Sequence, residues 1–134
     1  MLSSLKSIAR RISRKFNPSH EHRELKRLQR MRRDIPGQTP GQTSLLKWTI
    51  KYVDLPSLIS SFEILIIKRL NDFYSTNKKP LILDCGANIG ISVLRYKELF
   101  PQATIIAFEP DKNVCATLRE NLKMNGINKV EVVE

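Results

Sequence analysis

Five residues in the second half of the chain have types and spacings suited to ligand chemistry: Asp84, Gly86, Asn88, Gly90 and Glu109. The first four stand in "LILDCGANIG", residues 81–90, where a short apolar run ends on an acid and two glycines four apart. Glycine lets the backbone approach a ligand where a Cβ would collide, and it accepts φ > 0. The N–H groups at the start of a following helix then favour a negatively charged group. Glu109 closes a second apolar run, "ATIIAFE" (103–109). An acid at that strand end can accept both hydrogens of a ribose diol. The combination describes a cleft for a ribonucleoside cofactor.

The loop spacing narrows the choice. Dinucleotide-binding loops read G-x-G-x-x-G, whereas this one reads D-x-G-x-x-x-G. Loss of the G-x-G pair argues against close pyrophosphate approach. An acid just before the loop suits a cofactor carrying an ammonium group. S-adenosylmethionine has an ammonium, a carboxylate and a ribose, and each meets a partner here. The bland alternative for the loop is an ordinary β-α turn, and for Glu109 a solvated strand end.

The elements that must position these residues follow from periodicity. Apolar runs at 81–84 and 103–109 read as strands buried on both faces of a parallel sheet, and "KVEVVE" (129–134) begins a third. Helices are expected over 88–100, closed by Pro101, and over 111–126, with Val114, Leu118 and Leu122 inward and Asn125-Gly126 as the stop. The order β-α-β-α-β calls for a parallel sheet with right-handed crossovers. Upstream, "LLKWTIKYV" (45–53) alternates as a half-buried strand, with Trp48, Ile50 and Tyr52 on one side. A helix capped by Asp54 or Ser57 follows, its apolar face running from Leu58 to Phe73. Residues 35–43, "IPGQTPGQT", read as a linker and 75–80 as a turn.

The string from Leu81 to Glu134, with "DCGANIG", "IIAFEPD" and "LKMNG" in order, resembles the start of the catalytic domain of FkbM-type SAM-dependent methyltransferases. The segment "PGQTSLLKWTIKYVDLPSLISSFEILI" is similar, with less specific motifs, to the lead-in of these enzymes. The resemblance implies an α/β fold: a Rossmann-like class I methyltransferase sheet, here truncated after the third parallel strand, with a helical basic N-terminal arm. It implies S-adenosyl-L-methionine as cofactor, with Asp84, Gly86, Asn88 and Gly90 around the methionyl end and Glu109 on the ribose hydroxyls. It implies methyl transfer to oxygen of a small-molecule acceptor, often a sugar, and it points to no catalytic base in this chain. Members of the family continue through four more strands. The expectation is therefore a methyltransferase fragment that cannot turn over alone and whose first parallel strand is an edge. The expected division is a basic arm at 1–34, a linker and lead-in at 35–79, and the cofactor-binding half at 80–134.

Charge sets the arm apart. Residues 1–33 hold eleven Lys and Arg against two Glu, so nearly all of the net charge of +10 sits there. Leu2, Leu5, Ile8, Ile12 and Phe16 form one helical stripe among basic residues. Residues 2–16 therefore read either as a surface helix meeting anionic lipid or as a solvated helix packing on other parts of the enzyme. The first twenty residues also resemble a transit peptide. The arm lacks interleaved aromatics, which argues against base stacking and a nucleic-acid partner. A non-catalytic module using the arm to bind RNA or a membrane is the competing function. Two cysteines without metal-ligand spacing fit reduced thiols in the cytoplasm. Cys85 reads as a small packed residue and Cys115 as core. His20 and His22 read as solvated rather than as metal ligands, and the sequence offers no basis for an oligomeric state.

Overall fold

The computed structural model describes residues 18–134, so the amphipathic stripe at 2–16 lies outside the described residues. The described residues begin with α1 (Pro18–Asp34), which has Glu21 in its first turn and Arg32 and Arg33 in its last. That placement complements the helix dipole. Leu28 on its inner face is fully buried, and Glu21, also buried, pairs with Arg69 at 3.3 Å.

Residues expected to form a linker instead supply a strand. β1 (Gly41–Leu45) pairs antiparallel with β2 (Trp48–Tyr52), with Leu45 opposite Trp48. Leu46 turns the hairpin with φ +55°. No Asn-Gly or Asp-Gly dipeptide marks this turn, which is why the pairing is not visible in the sequence. Trp48, Ile50 and Tyr52 are buried as the alternation requires. The next helix, α2 (Leu55–Phe62), is capped by Asp54, whose side chain accepts the Ser57 N–H at 2.7 Å.

The helix was expected to run on to Phe73, but its α-geometry ends at Phe62. It widens into a π-turn over Glu63–Ile67, with the Lys68 N–H on the Glu63 carbonyl at 2.9 Å. The chain then leaves the helix, with Arg69 at φ +54°. Leu70 and Phe73 consequently do not share a buried face with Leu58 and Phe62, and both are exposed.

The second half carries a three-stranded parallel sheet in the order β3-β4-β5, made of β3 (Leu81–Cys85), β4 (Thr104–Phe108) and β5 (Val130–Val133). Leu81 lies opposite Thr104 and Ile105 opposite Val130. The crossovers are α3 (Ile91–Leu99) and α4 (Lys112–Met124). Asp111 caps α4, its carboxylate accepting from Asn113 and Val114 at 2.9 and 3.0 Å.

β3 is an edge, as expected, but the strands are not buried on both faces. Two right-handed crossovers stepping in one direction place both helices on the same side of the sheet. Ile82, Ile105 and Ala107 on that side are buried with Val93, Leu118 and Leu122. On the other side Leu81 and Leu83 keep 63% and 60% of their surface exposed, and Phe108 is exposed beside them. A second apolar cluster joins Leu28, the hairpin and α2 to Ile89, Ile91 and Leu94, so the upstream elements are packed on the start of α3.

Candidate functional site

The loop from β3 into α3 turns on three left-handed residues: Gly86 at φ +83°, Asn88 at +50° and Gly90 at +94°. The two glycines serve different ends. A Cβ on Gly86 would meet nothing within 4 Å, so its bare side is open space. A Cβ on Gly90 would stand 2.5 Å from Cδ1 of Leu118, so Gly90 lets the start of α3 press onto α4. Asn88 tolerates its conformation because its own Oδ1 accepts the Ile89 N–H at 2.7 Å.

Glu109 lies one residue beyond β4. Its Oε2 accepts the Asn88 N–H and its Oε1 the Asp111 N–H, each at 3.0 Å. The carboxylate thus braces the glycine loop from the next strand. The Gly86 and Ala87 N–H groups, both on the Phe108 carbonyl at 2.9 Å, fix the loop on the same strand end.

Asp84 is buried, and its Oδ2 accepts the Ser92 hydroxyl proton at 2.6 Å. Burial raises its carboxyl above the ordinary value, and the Ser92 bond partly offsets this. Ser92 was not foreseen. Its signal is positional: a hydroxyl in the first turn of α3 sits under the strand end that carries the acid.

Asp84, Gly86, Asn88 and Ser92 line one cavity of about 220 Å³. Glu109 is brought against it through Asn88. Gly90 is turned onto Leu118 instead. The far wall is one the sequence did not announce: Ser60 and Ser61 from α2, and Asn71 from the segment after the π-turn. That segment is pinned on both sides of Asn71, by Arg69 to Glu21 and by Asp72 to the buried Arg95, whose Nε lies 2.8 Å from Asp72 Oδ1. Burial pushes the neighbouring Tyr96 hydroxyl up, Asp84 adds to this, Asn71 partly offsets it and Asp72 adds a little more.

Cys85 departs from its expectation. Its side chain is exposed, because it falls on the open side of β3, and it borders the same cavity. Cys115 is buried as expected. Glu21, between the two histidines, is committed to Arg69, and no group of metal-ligating side chains occurs among the described residues. No described helix is long and apolar enough to cross a membrane.

A parallel β3-β4-β5 sheet, helices on one side, an acid at the first strand end and a glycine turn behind it give the Rossmann-like sheet of the class I methyltransferases. Among solved structures the chain is similar to TYW2 of M. jannaschii in complex with AdoMet, with a TM-score of 0.56 and 21% identity over 74% of this chain and 44% of that one. Among curated proteins it is 43% identical over 54 residues to methyltransferase sdnD of Sordaria araneosa, covering 40% of this chain and 21% of that protein. It is 44% identical over 43 residues to the 2-O-methyltransferase NoeI of Sinorhizobium fredii, covering 32% of this chain and 18% of that protein. The chain spans about a fifth of the length of the curated relatives it matches. No family model matches it.

Proposed function

We propose that this chain carries the cofactor half of an S-adenosylmethionine-dependent methyltransferase of the FkbM type that acts on oxygen of a small molecule such as a sugar. The observation that carries the proposal is the buried carboxylate of Asp84 at the floor of the cavity, beside the open backbone of Gly86. A buried acid with a single hydroxyl partner has acceptor capacity left over, which suits an ammonium. Ser60, Ser61 and Asn71 line the same cavity with neutral groups able to donate to a carboxylate. Each Glu109 oxygen already holds one backbone N–H and retains a lone pair for a ribose hydroxyl.

When bound, S-adenosylmethionine supplies a sulfonium-activated methyl group. The residues present hold and orient that end, and the preset loop lowers the cost of ordering it. Placing an acceptor oxygen in line is the remaining requirement. The relative whose name specifies 2-O-methyl transfer supports an oxygen acceptor. The open sheet side of Leu81, Leu83 and Phe108 supports a need for further polypeptide before turnover.

A second reading has its own support. Lys26, Arg30 and Arg33 border one exposed groove on α1, a face suited to an anionic surface. Calorimetry with S-adenosylhomocysteine separates the two. Binding to the wild-type chain that is lost in Glu109→Ala and Gly86→Val supports the cofactor site. No binding, with salt-sensitive retention on acidic vesicles or RNA, supports the module. Methyl transfer by the 134-residue chain alone would overturn the view that it is inactive by itself.

A further inference from the structure

We propose that Asn121 is a positioning residue for the cofactor loop, and that through it the β1-β2 hairpin fixes the loop's shape. The proposal deepens the cofactor reading and rests on it for one arm of its test.

The Asn121 side chain is fully buried on α4. Its Oδ1 accepts the Lys51 N–H at 2.8 Å, and its Nδ2 donates to the Lys51 carbonyl at 2.9 Å. Alternate residues of an antiparallel strand aim their N–H and C=O groups to opposite sides, so this is the edge of β2 that β1 leaves open. Asn125, four residues on and at the C-terminal cap of α4, treats Thr49 in the same way at 3.0 and 2.8 Å. Two asparagines four apart thus stand in for a neighbouring strand.

They differ in one contact. Asn125 spends its remaining N–H on its own helix, at the Asn121 carbonyl. Asn121 spends its remaining N–H on the carbonyl of Ile89, at 2.8 Å. Ile89 is 2% exposed and lies between the left-handed Asn88 and Gly90. A buried carbonyl there needs a protein partner, and the Asn88 side chain, which bonds the Ile89 N–H, leaves the Ile89 carbonyl to Asn121. Glu109 holds the loop by the Asn88 N–H, and Asn121 holds it by the next carbonyl. Hairpin edge and loop therefore share one side chain.

The test compares Asn121→Ala with Asn125→Ala in the full chain. Amide hydrogen exchange is followed at Asn88 and Gly90 without ligand, and S-adenosylhomocysteine affinity is measured where both variants are folded. The expected result is exchange at the loop faster by tenfold or more, and affinity weaker by tenfold or more, in Asn121→Ala alone. Asn125→Ala should lose thermal stability yet keep both quantities within twofold of wild type. Unchanged loop exchange in Asn121→Ala, or equal change in both variants, overturns the proposal. If the wild-type chain binds no S-adenosylhomocysteine, the cofactor reading fails while the exchange contrast still decides the role of Asn121. If Asn121→Ala does not fold, exchange of the wild-type chain in denaturant decides it. Lys51 and Asn88 opening together supports the coupling, and independent opening overturns it.

Discussion

Replacing Gly90 by alanine should destabilise the fold by roughly 2–4 kcal/mol, in two separable parts. The first is backbone strain. At φ +94° a Cβ crowds the following carbonyl, at about 1–2 kcal/mol. The second is packing. Carbon atoms prefer roughly 3.5–4.0 Å, and the new Cβ would stand 2.5 Å from Leu118 Cδ1. Leu118 is fully buried, so its methyl has little room to retreat, and overpacking of this kind costs about 1–2 kcal/mol at the lower end of its range. Gly86→Ala is the control, because its φ is also positive but its bare side is empty, so it should show the strain alone. Urea unfolding of Gly90→Ala, Leu118→Ala and the double variant isolates the packing part. Leu118→Ala costs about 2–5 kcal/mol by itself. In its background, the cost of Gly90→Ala should fall to that of Gly86→Ala. An equal cost in both backgrounds would refute the assignment of Gly90 to helix packing.

Two further outcomes are expected. Burial holds the Asp84 carboxyl above its unfolded value, so the folded chain binds that proton more tightly than the unfolded one. Its contribution to stability is therefore full below the unfolded value near 3.8 and is lost as pH rises through the raised folded value. Asp84→Asn should flatten that decline in denaturant titrations above about pH 4 and weaken S-adenosylhomocysteine binding at least tenfold; a variant whose stability still falls with pH as the wild type's does would contradict this. On the open side of the sheet, Leu81→Lys with Leu83→Glu should change unfolding free energy by less than about 1 kcal/mol and lower light scattering on concentration, whereas a cooperative loss of folding would place those leucines in a core.

The sequence carried the parallel-sheet half well, because its signals are local. "LILDCGANIG" holds strand, acid and turn within ten residues and "ATIIAFE" holds strand and acid within seven, and the acids fall where the strands end. What was not legible depends on contacts between distant segments. The hairpin partner at 41–45 is polar and glycine-led, so nothing in its periodicity announces a strand. It forms because β2 offers an edge and Arg27 reaches across to Thr43 at 3.0 Å and to the Ser44 carbonyl. The cavity wall of Ser60, Ser61 and Asn71 is set by where the helix fails. Apolar spacing continued past that point and gave no warning. The exposed leucines of β3 follow from which side both crossovers take, a property of topology that the apolar run cannot carry.

That failing helix has a consequence of its own. The turn over Glu63–Ile67 closes on a residue five positions ahead, and the next backbone bond, from Leu70 to Ile64, spans six. It is a helix with surplus chain in it. Deleting a single residue from this stretch would let ordinary winding resume and would carry everything after it round by about 100°. Arg69 would swing off Glu21 and Asp72 off Arg95 together, and Asn71 would leave the cavity. The surplus residue is thus the spacer that sets where the roof of the pocket lands, and its length matters more than its side chain.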